Sequence, residues 1–160
     1  MRDLPPVDLE WIARAPQIVT VTAHFTAAPG RVFGAFADAA TWPRWFPLMR
    51  SATYREPIGG GLGRERDVAL LTLGRFRERF IAWDDPTRYA FTAVATTSPM
   101  LARFGEDYRL TPDGSGTRLH WTMGAELRGV ARAGAPALRL IMRRLLTRAA
   151  RNLEQRLRSA

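Results

Sequence analysis

Two runs near the C-terminal third, residues 103–111 and 117–127, constrain the fold most tightly. Asp113-Gly114-Ser115-Gly116 between them is turn chemistry. With Gly114 and Ser115 as the two turn residues, Leu110 faces Leu119, Tyr108 faces Trp121, Glu106 faces Met123 and Phe104 faces Ala125. The other face pairs Arg109 with His120 and Asp107 with Thr122. One face is apolar on both strands apart from Glu106, and the other is polar on both. A slip of one residue would mix the two faces, so the register is determined. The consequence is an antiparallel sheet with one buried and one solvated face.

The rest of the chain extends that sheet. In residues 17–26, Val19, Val21, Ala23 and Phe25 share one face, while Thr20, Thr22, His24 and Thr26 share the other. Residues 49–56, 65–73, 75–83 and 88–96 read as further strands. Pro29 suits the first position of a helix carrying Val32, Phe33 and Phe36. Thr41 can cap a second short helix that begins with Trp42-Pro43 and carries Trp45 and Phe46. Residues 1–16 form an N-terminal arm, with a short helix from Val7 to Ala15 that Trp11 and Ile12 pack onto the domain. From about Pro136 to Arg158 a long helix places Leu138, Met142, Leu145, Ala149 and Leu153 in one stripe, flanked by Ile141 and Leu146. Each large apolar side chain buried there is worth roughly 1.5–3 kcal/mol, enough together to dock the helix on a sheet. The expected class is α+β: a curved antiparallel sheet of six or seven strands around a long C-terminal helix, with two short helices after the first strand. A curved sheet cannot touch one helix across its whole width, so a space lined by inward side chains remains between them.

Composition narrows the chemistry. The 160 residues are 46% apolar, enough for one sizeable core. Cysteine and lysine are both absent, which excludes disulfides, thiolate metal sites, cysteine nucleophiles, Schiff bases and a P-loop lysine. Only His24 and His120 are available as imidazoles, each on a polar strand face, and neither a metal nor a cofactor is expected. The glycine-rich loop 57–63 lacks the lysine and Ser/Thr of a phosphate cradle. The net charge is +9, and residues 128–158 hold nine arginines against the single acid Glu154. Such a stripe is either a solvated helix face or a surface for an acidic partner, nucleic acid or anionic membrane. The first residues, Met1-Arg2-Asp3-Leu4-Pro5-Pro6, carry charges and prolines where a signal peptide needs an apolar run, and no apolar stretch is long enough to span a bilayer. A cytoplasmic location is expected.

Four segments resemble one known superfamily in order: Phe25-Thr26-Ala27-Ala28-Pro29-Gly30-Arg31-Val32-Phe33; Asp38 through Trp42-Pro43-Arg44-Trp45; Trp83-Asp84-Asp85-Pro86-Thr87-Arg88; and Leu110-Thr111-Pro112-Asp113-Gly114-Ser115-Gly116-Thr117-Arg118. Over about residues 17–158 the chain resembles the START-like, or SRPBCC, superfamily, and within it the bacterial polyketide cyclase/dehydrase and lipid transport group. The resemblance implies the helix-grip fold, with residues 1–16 as an arm and 17–160 as a START-like ligand-binding domain. It implies no single function, because the superfamily holds lipid carriers, aromatic cyclases, hormone receptors and ribosome-associated proteins. It also implies that the terminal helix faces a cavity, so Leu138, Met142 and Leu145 are expected liners. Trp42, Trp45 and Phe46 are expected near one end of that cavity, as anchors of their helix or as a lid with loop 57–63.

The expected ligand-binding set is Trp45, Phe46, Phe80, Phe91, Glu106, Tyr108, Trp121, Met123, Leu138, Met142 and Leu145. Two carboxylates, Glu78 and Glu106, fall on apolar strand faces, where a charge must be paired or neutralised. Glu106 with Tyr108 is the candidate acid/base pair, or alternatively a structural one. Three functions compete: a binding module for a lipid, quinone or polyketide-like molecule; a polyketide cyclase or aromatase using the same pocket; and an interaction protein working through the arginine-rich helix on ribosomes, nucleic acid or anionic membrane.

Overall fold

Why the first sixteen residues belong against the sheet is visible at a splay between two strands. The computed structural model describes residues 1–159; Ala160, the last residue of the expected domain, lies outside the described residues. The elements run β1 (Arg2–Asp3), α1 (Leu9–Arg14), β2 (Gln17–Phe25), α2 (Pro29–Ala37), a 3-10 helix (Ala39–Arg44), β3 (Met49–Tyr54), β4 (Glu65–Leu70), β5 (Gly74–Asp84), β6 (Arg88–Thr96), β7 (Leu101–Asp113), β8 (Gly116–Leu127), a 3-10 turn (Gly129–Gly134) and α3 (Ala135–Ser159). The sheet order is β2-β8-β7-β6-β5-β4-β3, with β1 added to β6. Seven strands therefore follow the expected path, and a two-residue eighth comes from the arm. This is the helix-grip architecture, with α3 across the concave face.

The β7–β8 register is the one the alternation requires: Tyr108 opposes Trp121, Glu106 opposes Met123 and Arg109 opposes His120. β2 extends it, with Val21 opposite Trp121 and Ala23 opposite Leu119. Between β6 and β7 the pairing stops at Thr92↔Gly105. Beyond that point β1 takes the vacated edge, pairing Arg2 with Thr96 and Asp3 with Ala95, and Leu4 N donates to Val94 O at 2.8 Å. Arg2 Nη2 donates to the carbonyls of Ser98 and Leu101, tying the diverging strands together.

α1 then lies on the outer face, where Ile12 is fully buried. It sits over two outward-facing glycines that oppose each other, Gly105 and Gly124. A Cβ on Gly124 would lie 2.8 Å from the Ile12 carbonyl oxygen, and one on Gly105 would lie 2.9 Å from Ile12 Cδ1. The first contact is with backbone, which cannot move aside cheaply. Gly124→Ala is therefore expected to lift α1 and destabilise the fold by about 1–3 kcal/mol, read as a lower thermal unfolding midpoint. An unchanged midpoint would mean that α1 does not hold the arm in place.

Three local expectations are corrected. Asp38, not Thr41, caps the 3-10 helix: its Oδ1 accepts from Ala40 N at 3.1 Å, while the Thr41 hydroxyl donates to Asp38 O at 2.9 Å. Trp45 and Phe46 follow the end of that helix rather than sitting within it. On α3, Ile141 is exposed, and the line buried against the sheet is Met142, Leu146, Ala149, Ala150 and Leu153. Leu138 and Leu145 are only half-buried because they stand over a cavity instead of packed side chains.

Candidate functional site

The concave face of the sheet is filled unevenly. At one end the aromatic side chains of α2, the 3-10 helix, β6, β7 and β8 pack solid: Trp42 lies 4.4 Å from Trp45, Phe36 lies 5.0 Å from Tyr108, and Tyr108 stacks on Trp121 at 4.6 Å. At the other end, under the first half of α3, a cavity of about 80 Å³ remains. Its walls are Phe76, Phe91, Phe104 and Met123 from the strands, and Leu138, Met142 and Leu145 from α3. Trp42, Phe46, Met49 and Met100 also line it. The polar side chains bordering it are Arg66, Glu78, Ser98, Glu106 and Tyr108.

Of the residues expected to contact a ligand, Phe46, Phe91, Glu106, Tyr108, Met123, Leu138, Met142 and Leu145 border this space. Trp45, Phe80 and Trp121 do not, and this corrects the expectation. Trp45 packs at a tilt against Trp42, Phe80 packs on Trp83 at 4.8 Å and Tyr89 at 5.2 Å, and Trp121 is covered by Tyr108. The glycine loop 57–63 is not a lid over it either. Arg64 Nη1 pins that loop by donating to the carbonyls of Ile58, Gly59 and Gly60 at 3.2–3.3 Å, and Gly60 packs against the Trp83 ring. His24 pairs with Asp113 at 2.7 Å on the exposed face, away from the cavity.

Sequence reasoning missed Arg66, Met49 and Met100. A signal existed for the first: Arg66 shares its strand parity with Val68 and Leu70, which face inward. Four of the chain's five methionines, Met49, Met100, Met123 and Met142, line this one cavity. Their unbranched, polarisable side chains repack readily, so the walls can yield to ligands larger than the resting space.

Arg66 and Glu78 oppose each other on β4 and β5. Arg66 Nε and Nη2 donate to Glu78 Oε2 at 2.9 and 2.6 Å, and the guanidinium lies 4.3 Å from the centre of the Trp42 ring. Burial works against the arginine's charge, but the adjacent Glu78 carboxylate more than compensates, so its pKa is raised and it stays cationic. Burial raises the pKa of Glu78, and Arg66 opposes that rise. Among the described residues, Arg66 Nη1, the Tyr89 hydroxyl and Trp45 Nε1 are buried without hydrogen-bond partners.

Glu106 is held differently. Its Oε2 accepts from the Tyr108 hydroxyl and from Trp121 Nε1, the latter at 2.9 Å, while no cation among the described residues pairs with it. Burial pushes its pKa up to about 7, only partly offset by those two hydrogen bonds. Near neutrality both its carboxylic acid and its carboxylate forms are therefore accessible. At the wall of an apolar cavity such a group can donate a hydrogen bond to a ligand oxygen, or exchange a proton with it.

Comparison with known proteins agrees with this geometry. A family profile described as polyketide cyclase / dehydrase and lipid transport matches residues 16–158. An uncharacterized protein of Mycobacterium tuberculosis is 32% identical over 149 residues, covering 93% of this chain and 89% of that protein. Among solved structures, a START superfamily protein from Mycobacterium smegmatis superposes with a TM-score of 0.74 at 15% identity, covering 89% of this chain and 97% of that one. A Thermus thermophilus protein gives 0.75 at 19% identity, with the same two coverages of 89% and 97%. A third, named Ara h 8.0201, gives 0.72 at 15% identity, covering 90% of this chain and 99% of that one. A profile match over nearly the whole chain, in agreement with the helix-grip arrangement of sheet, terminal helix and intervening space, makes this protein a member of the polyketide cyclase / dehydrase and lipid transport family.

Proposed function

We propose that this protein binds a hydrophobic small molecule in the cavity between the sheet and α3. The ligand class is a lipid, quinone or polyketide-like compound that is largely apolar and carries an oxygen acceptor. One observation supports this above the others: a space walled almost entirely by apolar side chains has a single uncompensated carboxyl group, Glu106, fixed beside it by Tyr108 and Trp121. A protein core with no ligand to hold has no use for a void that forfeits packing, or for a carboxyl group there. Phe46, Phe91, Met123, Leu138, Met142 and Leu145 would supply contact area, and Glu106 with Tyr108 would fix the ligand's orientation. Protein purified without detergent, then denatured and extracted into organic solvent, is expected to release a stoichiometric apolar compound detectable by mass spectrometry. Extracts indistinguishable from those of a cavity-free control protein would count against the reading.

A second reading, cyclisation of a polyketide in the same pocket, is favoured by the raised pKa of Glu106, which suits a general acid or base at neutral pH. Catalysis by folding a bound chain needs few other groups. Under this reading Glu106→Gln abolishes turnover of a candidate substrate while leaving its binding intact; unchanged turnover in both Glu106→Gln and Tyr108→Phe would remove it.

A further inference from the structure

We propose that the outward face of α3, together with the apolar side chains at its N-terminal end, docks on an anionic phospholipid bilayer. The inference does not require the cavity to be occupied.

The first observation is a contrast in how arginines are used. On the outer face of the sheet most are matched, Arg50 and Arg75 being exceptions: Arg55 and Arg77 each lie 3.0 Å from Asp67, and Arg79 lies 2.8 Å from Glu65. On α3, none of Arg143, Arg144, Arg148 and Arg151 has a carboxylate within 4 Å among the described residues. These four side chains and Thr147 line one shallow groove. Like charges three and four residues apart on a helix repel each other, and a surface that meets only water gains nothing from that repulsion. An anionic surface relieves it.

The second observation separates a bilayer from nucleic acid. Val130 is 95% exposed, and Leu140 and Ile141 are 51% and 58% exposed. Leu140 falls with Arg144, Arg148 and Arg151 in an arc of about 80° at 100° per residue, so aliphatic and cationic side chains share one face. Met100, one of the residues lining the cavity, is also exposed, and its carbonyl accepts from Arg128 N at 2.8 Å, joining that loop to the turn that carries Val130. Aliphatic side chains set among arginines suit a helix lying in the headgroup region. Single-stranded nucleic acid would call for aromatic stacking platforms, and Ala135–Ser159 contains no aromatic residue. No described helix is long and apolar enough to cross a membrane, so the contact is peripheral.

The test is flotation of the full chain with vesicles of phosphatidylcholine alone or of an equal mixture with phosphatidylglycerol. Binding is expected to the mixed vesicles, to fall as salt is raised, and to be absent from phosphatidylcholine alone. The triple variant Arg144→Gln/Arg148→Gln/Arg151→Gln is expected to bind on the order of a hundredfold more weakly. Leu140→Ser/Ile141→Ser is expected to bind more weakly still at physiological salt than the wild type, with an unchanged unfolding midpoint. Failure of the wild type to float with mixed vesicles at low salt overturns the proposal. So does unaltered vesicle binding by Leu140→Ser/Ile141→Ser alongside equally tight, arginine-dependent binding to a duplex oligonucleotide, which would identify the face as a general polyanion site. Extraction of an apolar compound from the cavity is a separate measurement and can succeed or fail independently.

Discussion

Glu78→Leu is expected to lower the free energy of unfolding by about 3–5 kcal/mol, because it strands a buried guanidinium. Arg66 cannot escape by losing its proton, because a guanidinium stays protonated far above neutrality, and its almost wholly enclosed side chain, with Nη1 already lacking a partner, cannot turn to water instead. Removing both charges together should behave differently. In Arg66→Met/Glu78→Leu the desolvation of two ions and the unpartnered nitrogen disappear, and methionine can occupy the slot over Trp42. The double variant is therefore expected to recover most of the loss, giving a large favourable coupling between the two sites. Urea titrations read this as a midpoint that falls in the single variant and returns in the double one, with an unchanged slope. A double variant as unstable as Glu78→Leu would mean that the ion pair itself, rather than the avoidance of a lone charge, holds this part of the sheet.

Glu106 sets the second large effect. Its folded pKa of about 7 lies above its ordinary 4.5, so the folded protein holds the proton more tightly than the unfolded chain. The stability linked to that proton is full below the unfolded value, and is lost as pH rises from 4.5 through about 7. At 1.36 kcal/mol per unit the loss is about 3 kcal/mol. The charged groups acting on Glu106 are Glu78, which raises its pKa, and Arg66, which lowers it. Because Glu78 also has a raised pKa and contributes with the same sign, the comparison has to be made against Glu106→Gln. The amide oxygen can still accept from Tyr108 and Trp121, while the ionisation is gone. The wild type is expected to lose stability between these two pH values relative to Glu106→Gln. Parallel pH profiles for the two proteins would place the carboxyl group in a wetter setting than its burial implies.

How far the sequence could be read follows the range of the interactions involved. The β7–β8 hairpin was legible to the residue because alternation and a two-residue turn are local and reinforce each other: Tyr108 opposite Trp121 needs no knowledge of anything else. The α3 stripe was legible for the same reason, apart from Ile141. The arm's β1 was not, because Arg2–Asp3 is a strand only through the gap that opens beyond Thr92↔Gly105. Nothing in those two residues announces it. The candidate site was legible as a set of inward faces, but not as a boundary between packed and empty space. Phe80, Trp121 and Phe91 all face inward, and only Phe91 borders the cavity. What separates them is sheet curvature and the irregularities in β5, where register shifts occur between Arg77 and Glu78 and between Phe80 and Ala82. Phe80 lies in the aromatic pack, while Phe76 borders the cavity. Arg66 was overlooked because a charged residue in a strand is ordinarily assigned to the solvent side, and its partner Glu78 lies on another strand.

The claim that matters most is that the space under α3 is a binding site, and filling it is the most direct test. Ala125 is buried at its wall on β8. Ala125→Leu places methyl groups in the void without adding charge, and is expected to hold stability level or raise it by about 0.5–2 kcal/mol. Titration with the neutral fluorescent probe phenylnaphthylamine, which the arginine face of α3 does not attract, then compares the two proteins. Enhanced probe fluorescence that saturates in the wild type and is largely lost in Ala125→Leu is the predicted result; equal probe affinity in the two folded proteins would contradict it.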